Sequence, residues 1–169
     1  MVHDCSEALP LTLRQPGRPE GLAQHWRLPL QAHERSQLRG RRVCQDGQVV
    51  VLQLPRQEPL RPGEWLLPAP GGGQTVAVEV VAAEEDLLEI RAATGLALLQ
   101  AAYHLGNRHV AMEVHADRLL LLDDSVLADL LVRRGLALRR LRAPFRPEPG
   151  AYESHAHSHS HAQGHHDAV

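Results

Sequence analysis

Aromatic side chains are nearly missing from this sequence: they make up 3% of it, and Phe145 is the single phenylalanine. Sheets that bind single-stranded nucleic acid stack bases on exposed aromatics, so that class of function loses its main contact. Cysteine is scarce as well. Only Cys5 and Cys44 occur, with no C-x-x-C pair, so nothing suggests a disulfide scaffold or a cysteine-based zinc site. Neither sign of charge dominates: the formal net charge is −2, giving no global attraction to nucleic acid or to an anionic membrane. No uncharged apolar run approaches the ~18–20 residues needed to span a bilayer. The opening MVHDCSEALP lacks the basic and apolar regions of a signal peptide, so a soluble cytoplasmic protein is expected. Catalytic motifs are absent too. There is no G-x-S-x-G, no H-E-x-x-H and no phosphate loop, since Gly71 to Gly73 lack the Lys and Ser/Thr that would follow. Those glycines read as a flexible turn, and the chain as something other than an enzyme.

What is present is a hydrophobic content of 43%, supplied almost entirely by Leu, Val and Ala. In the first half Pro and Gly interrupt the chain about every ten residues, which favours short strands and turns. Leu9, Leu11 and Leu13 alternate with other residues, as do Trp26, Leu28 and Leu30, and Pro29 confines the latter run to a sheet edge or a bulge. Asp46-Gly47 between two β-rich arms predicts a hairpin with a type I′ turn. PGEWLL follows, and then Val76, Val78 and Val80 share one face of a further strand. Residues 1–82 read as a small all-β domain.

The second half changes rhythm. Leu88, Ile90 and Ala92 lie on one face of a strand over 86–92, and Thr94 can cap a helix through LALLQAAYHL. Its expected apolar stripe is Leu96, Leu99, Ala102 and Tyr103, with Gly106 or Asn107 as the left-handed stop. Val110, Met112 and Val114 alternate next, followed by the run Leu119–Leu122. Asp123, Asp124 and Ser125 offer N-caps for a second helix, with Val126, Leu127, Leu130 and Leu131 as its expected buried face and Gly135 as its end. Leu136, Leu138 and Leu141 suggest a last strand before Pro144. The order βαββαβ is the split βαβ unit of ferredoxin-like folds, here over 83–150, so the fold class is α+β. Beyond it, residues 151–169 carry too little apolar surface to offset ordering entropy, and disorder is expected without metal.

The chemistry concentrates in histidine. Six of the twelve, His155, His157, His159, His161, His165 and His166, crowd the tail. Neutral imidazole is a good ligand for Ni²⁺, Zn²⁺ and Cu²⁺, and several on one flexible chain raise the effective ligand concentration. Capacity should fall as pH drops through about 6.5, where imidazole takes up a proton. In YHLGNRHVAMEV a helix ends near Gly106 and His109 emerges where the next strand begins. One surface imidazole is a poor site, but a two-fold dimer would set two copies face to face. His104 reads as a helix-end residue and His115 as an ordinary exposed one.

HLGNRH at 104–109, the ending APFRPEPGAY at 143–152, the His-rich tail and the upstream stretch RGRRVCQDGQVVVLQLPRQEPLRPGEWL together resemble the UreE family of urease accessory metallochaperones. The resemblance implies a cytoplasmic homodimer with a peptide-binding-like N-terminal domain and a ferredoxin-like metal-binding domain. It implies delivery of nickel to apo-urease, alongside the GTPase and other accessory proteins of urease maturation. His109 matches the family's key ligand, paired with its symmetry mate, and the tail histidines add capacity or complete the site. The family's occasional second His-x-His site is not carried over, because the matching positions are Asp123 and Ser125. The alternative is a nickel or zinc storage protein without a client, built from the same residues.

Overall fold

The computed structural model describes residues 8–22, 24–71 and 76–149. The first part is all strand apart from one turn of 3₁₀ helix at Glu34–Ser36. Strands β1 (Leu9–Leu11), β4 (Arg39–Val43) and β5 (Val49–Gln53) form a three-stranded sheet in the order β1-β5-β4. Strands β2 (Leu13–Gln15), β3 (Gln24–Leu30), β6 (Trp65–Leu67) and β7 (Val76–Ala82) form a second sheet in the order β2-β6-β7-β3. Leu11, Leu28, Leu52, Leu66 and Val80, all buried, belong to one apolar core. Pro29 lies on β3, an edge strand, where its missing N–H costs no ladder bond.

The β4–β5 hairpin forms as expected, but its turn differs. A type I′ turn needs positive φ at both central residues, and of Asp46 and Gly47 only the glycine has it, at 81°. The Gly47 N–H donates to the Cys44 carbonyl at 3.0 Å and the Cys44 N–H to Gln48 at 2.8 Å. Three residues therefore close the hairpin, with glycine in the left-handed position of a bulge.

The second part follows the expected βαββαβ order. Strands β8 (Glu84–Arg91), β9 (Met112–Val114), β10 (Leu119–Leu122) and β11 (Ala137–Pro144) make one antiparallel sheet, ordered β11-β8-β10-β9. Helices α1 (Gly95–Gly106) and α2 (Ser125–Arg133) complete it, and Leu88, Ile90, Leu119 and Leu121 of the sheet share a core with Leu98, Leu105 and Leu131 of the helices.

Helix α1 turns a different face inward from the one expected, whereas α2 departs from expectation mainly at Val126. In α1 the buried residues are Leu98, Ala101 and Leu105, while Leu96, Leu99 and Tyr103 are 67, 70 and 67% exposed. In α2 Ala128 and Leu131 are buried and Leu127 packs beside them, but Val126 is exposed. The cause in α1 is composition: apolar residues lie nearly all round it, so two stripes at helical spacing compete and only the sheet selects one.

The two parts meet on the face of the β11-β8-β10-β9 sheet away from its helices. Leu87, Leu120 and Phe145 are buried together there with Ala32 packed against them. Polar groups seal the seam. The buried Arg35 donates from Nη2 to the Phe145 carbonyl at 2.6 Å, and the Ala32 N–H donates to Oε1 of the buried Glu85 at 2.8 Å.

Candidate metal centre

Helix α1 begins at Thr94, whose Oγ1 accepts from the Ala97 N–H at 3.2 Å. Its far end is a Schellman motif: the Val110 N–H donates to the Leu105 carbonyl at 3.2 Å and the His109 N–H to Gly106 at 2.9 Å. The left-handed residue of that motif is His109 itself, at φ 55°, and it is the only non-glycine with positive φ among the described residues. Neither Gly106 nor Asn107 takes that role; Asn107 is right-handed at φ −63°. Helix α2 ends in the same pattern, with Leu136 bonded to Leu131 and Gly135 to Val132, but there glycine holds the left-handed place at φ 78°.

A side chain in that conformation costs of order 1 kcal/mol. In return the backbone fixes the direction in which the His109 side chain leaves the chain, at an exposed corner between helix and strand. Val110 and Leu105 of the motif both pack into the core, anchoring the corner from behind. Arg108 donates from Nη1 to the His104 carbonyl at 3.0 Å, satisfying a helix-end acceptor, and the half-buried His104 ring stands edge-on to Tyr103 at 5.6 Å.

Strand β9 follows this corner, and the end of the described chain returns to it. The Glu148 N–H donates to the Met112 carbonyl at 2.8 Å, and Oε2 of Glu113 accepts from the Arg146 N–H at 3.0 Å. The other oxygen of Glu113 lies 2.9 Å from Nε2 of His115. Residues 145–148 thus run along the edge of β9, and Glu148 is bonded to a residue only three positions from His109. Sequence reading missed this strap and the place of Glu113 in it. Alternation marks β9 but carries no sign of what covers its edge.

Among the described residues, no three His, Cys, Asp or Glu side chains gather closely enough to hold a metal ion. His109 therefore belongs to no such three-ligand group within the described residues. The tail positions His155, His157, His159, His161, His165 and His166 lie outside the described residues, as does Cys5. Asp123 is bound to Nε of Arg140 at 2.9 Å, and Asp124, rather than Asp123 or Ser125, caps α2 through the Val126 and Leu127 N–H groups. Burial, with Asp46 nearby, pushes the Cys44 thiol up to about 11. It stays protonated near neutrality and is no thiolate ligand. No helix among the described residues is long and apolar enough to cross a membrane.

Comparison with known proteins gives this geometry a family. A model described as the UreE urease accessory protein N-terminal domain matches residues 12–83, and one described as the C-terminal domain matches residues 85–168. The chain is 58% identical over 130 residues to a urease accessory protein UreE of Parasynechococcus marenigrum, covering 77% of this chain and 85% of that one. It is 54% identical over 140 residues to a UreE of a Synechococcus species, covering 83% and 88%. A third, from Thermosynechococcus vestitus, is 44% identical over 133 residues, covering 79% and 90%. With both halves matched in order and identity this high across most of each chain, the protein belongs to the UreE family of urease accessory proteins.

Proposed function

We propose that this protein is a cytoplasmic nickel metallochaperone that captures Ni²⁺ and delivers it to apo-urease, in concert with the GTPase and other accessory proteins of urease maturation. It works by capture and hand-over rather than catalysis. The observation that carries the reading is His109 held left-handed, at a corner where glycine would be the unstrained choice. In this reading residues 1–82, 83–150 and 151–169 are the peptide-binding-like domain, the metal-binding domain and the tail.

The protein acts as a homodimer. Leu96, Leu99 and Tyr103 form an exposed apolar stripe on α1, the helix whose end carries His109. An isologous contact through that stripe would cover it and bring the two copies of His109 toward one another. A site of two imidazoles leaves coordination positions open, so the ion exchanges to a partner instead of being trapped. Zn²⁺ and Cu²⁺ suit the same donors.

The strap on β9 supports a feeding role for the tail. From Glu148 to His155 is seven residues, a reach of up to about 24 Å, whereas Met112 lies no more than about 11 Å of chain from His109. The first tail imidazoles are thus tethered within range of the His109 corner. Family membership favours delivery over client-free storage, because the relatives are named as urease accessory proteins.

Calorimetric nickel titration of wild type, His109→Ala and a chain ended after Gly150 tests the reading. The His109→Ala protein should lose the tightest step and keep the weaker tail binding. The shortened chain should bind fewer ions and stay folded by circular dichroism. An unchanged tight step in His109→Ala would sink the assignment.

A further inference from the structure

The chain has 18 basic side chains, every one an arginine, and they are used differently on two exposed sheet edges. On edge strand β11 each arginine is tied to a carboxylate of its own chain: Arg139 to Glu89 at 3.1 Å, Arg140 to Asp123 at 2.9 Å and Arg142 to Glu84 at 3.7 Å. On edge strand β4 the sequence is RGRRV, and Arg39, Arg41 and Arg42 make no ion pair among the described residues. Its neighbour β5, VVVLQ, carries no carboxylate either. A depression of about 370 Å³ opens at the start of β4, walled by Gln37, Leu38, Arg39, Leu54, Arg56 and Gln57, again without an acid.

The register fixes which backbone groups of β4 are free. Cys44 bonds to Gln48 and Leu38 accepts from Leu54, so the even-numbered residues between them face β5 and the odd ones face away. The N–H and C=O groups of Arg39, Arg41 and Val43 therefore point out of the sheet, and all three residues are exposed. Their side chains share one face, two positive and one apolar. Arg42 covers part of this edge in the free protein: Nη1 donates to the Arg41 carbonyl and Nη2 to Oε1 of Gln37, each at 2.8 Å, while its Nε is shielded and unpartnered. Gly40 lies beside this arm, where a Cβ would stand 3.3 Å from Arg42 Nη1.

We propose that the free edge of β4 is a docking strand for an extended acidic segment of a partner protein, which adds as a further strand beside Arg39, Arg41 and Val43. Main-chain bonds to the outward groups supply the pairing, and acids at alternate positions of the guest meet the two arginines. Guanidinium suits this task because its forked donors match a carboxylate. Arginines on an edge also deter unwanted strand pairing. That role is served on β11 by arginines neutralised within the molecule, and it leaves the charge around β4 and its depression, unpaired among the described residues, without a purpose.

The test uses the full-length protein and a capped peptide of about nine residues, glutamate alternating with threonine, followed by fluorescence anisotropy at low salt. The glutamate peptide should bind saturably and its lysine counterpart should not. Reversing both charges, Arg39→Glu with Arg41→Glu, should weaken binding about tenfold or more. Replacing Arg41 by Gln removes the charge and replacing it by Pro removes the outward N–H as well, without touching the β4–β5 ladder. The proline variant should therefore bind more weakly than the glutamine variant, with both folded by circular dichroism. His109→Ala should bind the peptide like wild type, which separates this surface from the metal centre. Absence of saturable binding, or indifference to the double charge reversal, would overturn the proposal. Equal binding by the Gln and Pro variants would overturn strand addition, and equally tight binding of a short single-stranded oligonucleotide would overturn the peptide as guest.

Discussion

His109 stands where a helix would ordinarily be closed by glycine. Because the left-handed conformation penalises any Cβ, His109→Gly should make the metal-free protein more stable by about 0.5–1 kcal/mol, after allowing for the extra freedom of glycine in the unfolded chain. That corresponds to a Tm higher by about 2–4 °C. The same variant should lose the tightest nickel step, whereas His109→Ala keeps the backbone penalty and loses the ligand. Thermal melts without metal decide it: a His109→Gly protein less stable than wild type would show that the corner carries no such strain. Histidine 109 was legible in the sequence as a candidate only through its surroundings, HLGNRH. Its conformation was not, because Gly106 and Asn107 just before it are the residue types that usually take the left-handed place. The helix closes two to three residues later than those residues suggest.

At the scale of elements, β8 shows how alternation serves two masters. Leu88 and Ile90 face the helices, while Glu85, Leu87 and Glu89 face the other way and are buried as well. Glu89 is held by Arg91 at 3.0 Å and by Arg139 at 3.1 Å. Hydrogen bonding from Arg91 first, then Arg139, keeps its carboxyl below the usual carboxylate range, against the opposing effect of burial. A carboxylate whose pKa is lowered on folding stabilises the fold fully above its unfolded value, about 4.3, and loses that contribution as pH falls through the lowered one. Melts from pH 7 down to pH 3 should therefore show an acid-side decline that is shallower in Glu89→Gln than in wild type; parallel curves would remove Glu89 from the cause. The strands themselves were readable, since period-two patterns such as Val76, Val78 and Val80 have one physical solution. The face of α1 was not. In LALLQAAYHL the stripe of Leu98, Ala101 and Leu105 and the stripe of Leu96, Leu99 and Tyr103 are equally well spaced, and sequence periodicity does not rank them. Asp46-Gly47 failed in a similar way. The dipeptide announces a hairpin, but the pairing of Cys44 with Gln48 sets the loop length and so the turn.

For the whole molecule, the unburied stripe of α1 bears on assembly. If it is the two-fold contact proposed above, Leu99→Asp places a charge at its centre and should convert the dimer to a monomer in light scattering. The monomer should stay folded, because Leu99 is already 70% exposed within one chain. A Leu99→Asp protein that remains dimeric would move the contact elsewhere. Loss of the dimer should also weaken the tightest nickel step, since one His109 is left without its mate.

The bond from Arg35 to the Phe145 carbonyl joins positions 110 residues apart, and that span has a meaning in time. Synthesis delivers the N-terminal part first, so its buried arginine emerges long before the Phe145 carbonyl that accepts from it in the finished seam. Until residue 145 leaves the ribosome, Arg35 must stay hydrated and the surface around Ala32 uncovered. The seam closes within a few residues of the point at which the histidine tail begins to emerge. A chain cut short before Phe145 would carry an open seam as well as lack its histidine-rich segment, so closure of the seam and arrival of that segment fall together at the end of synthesis.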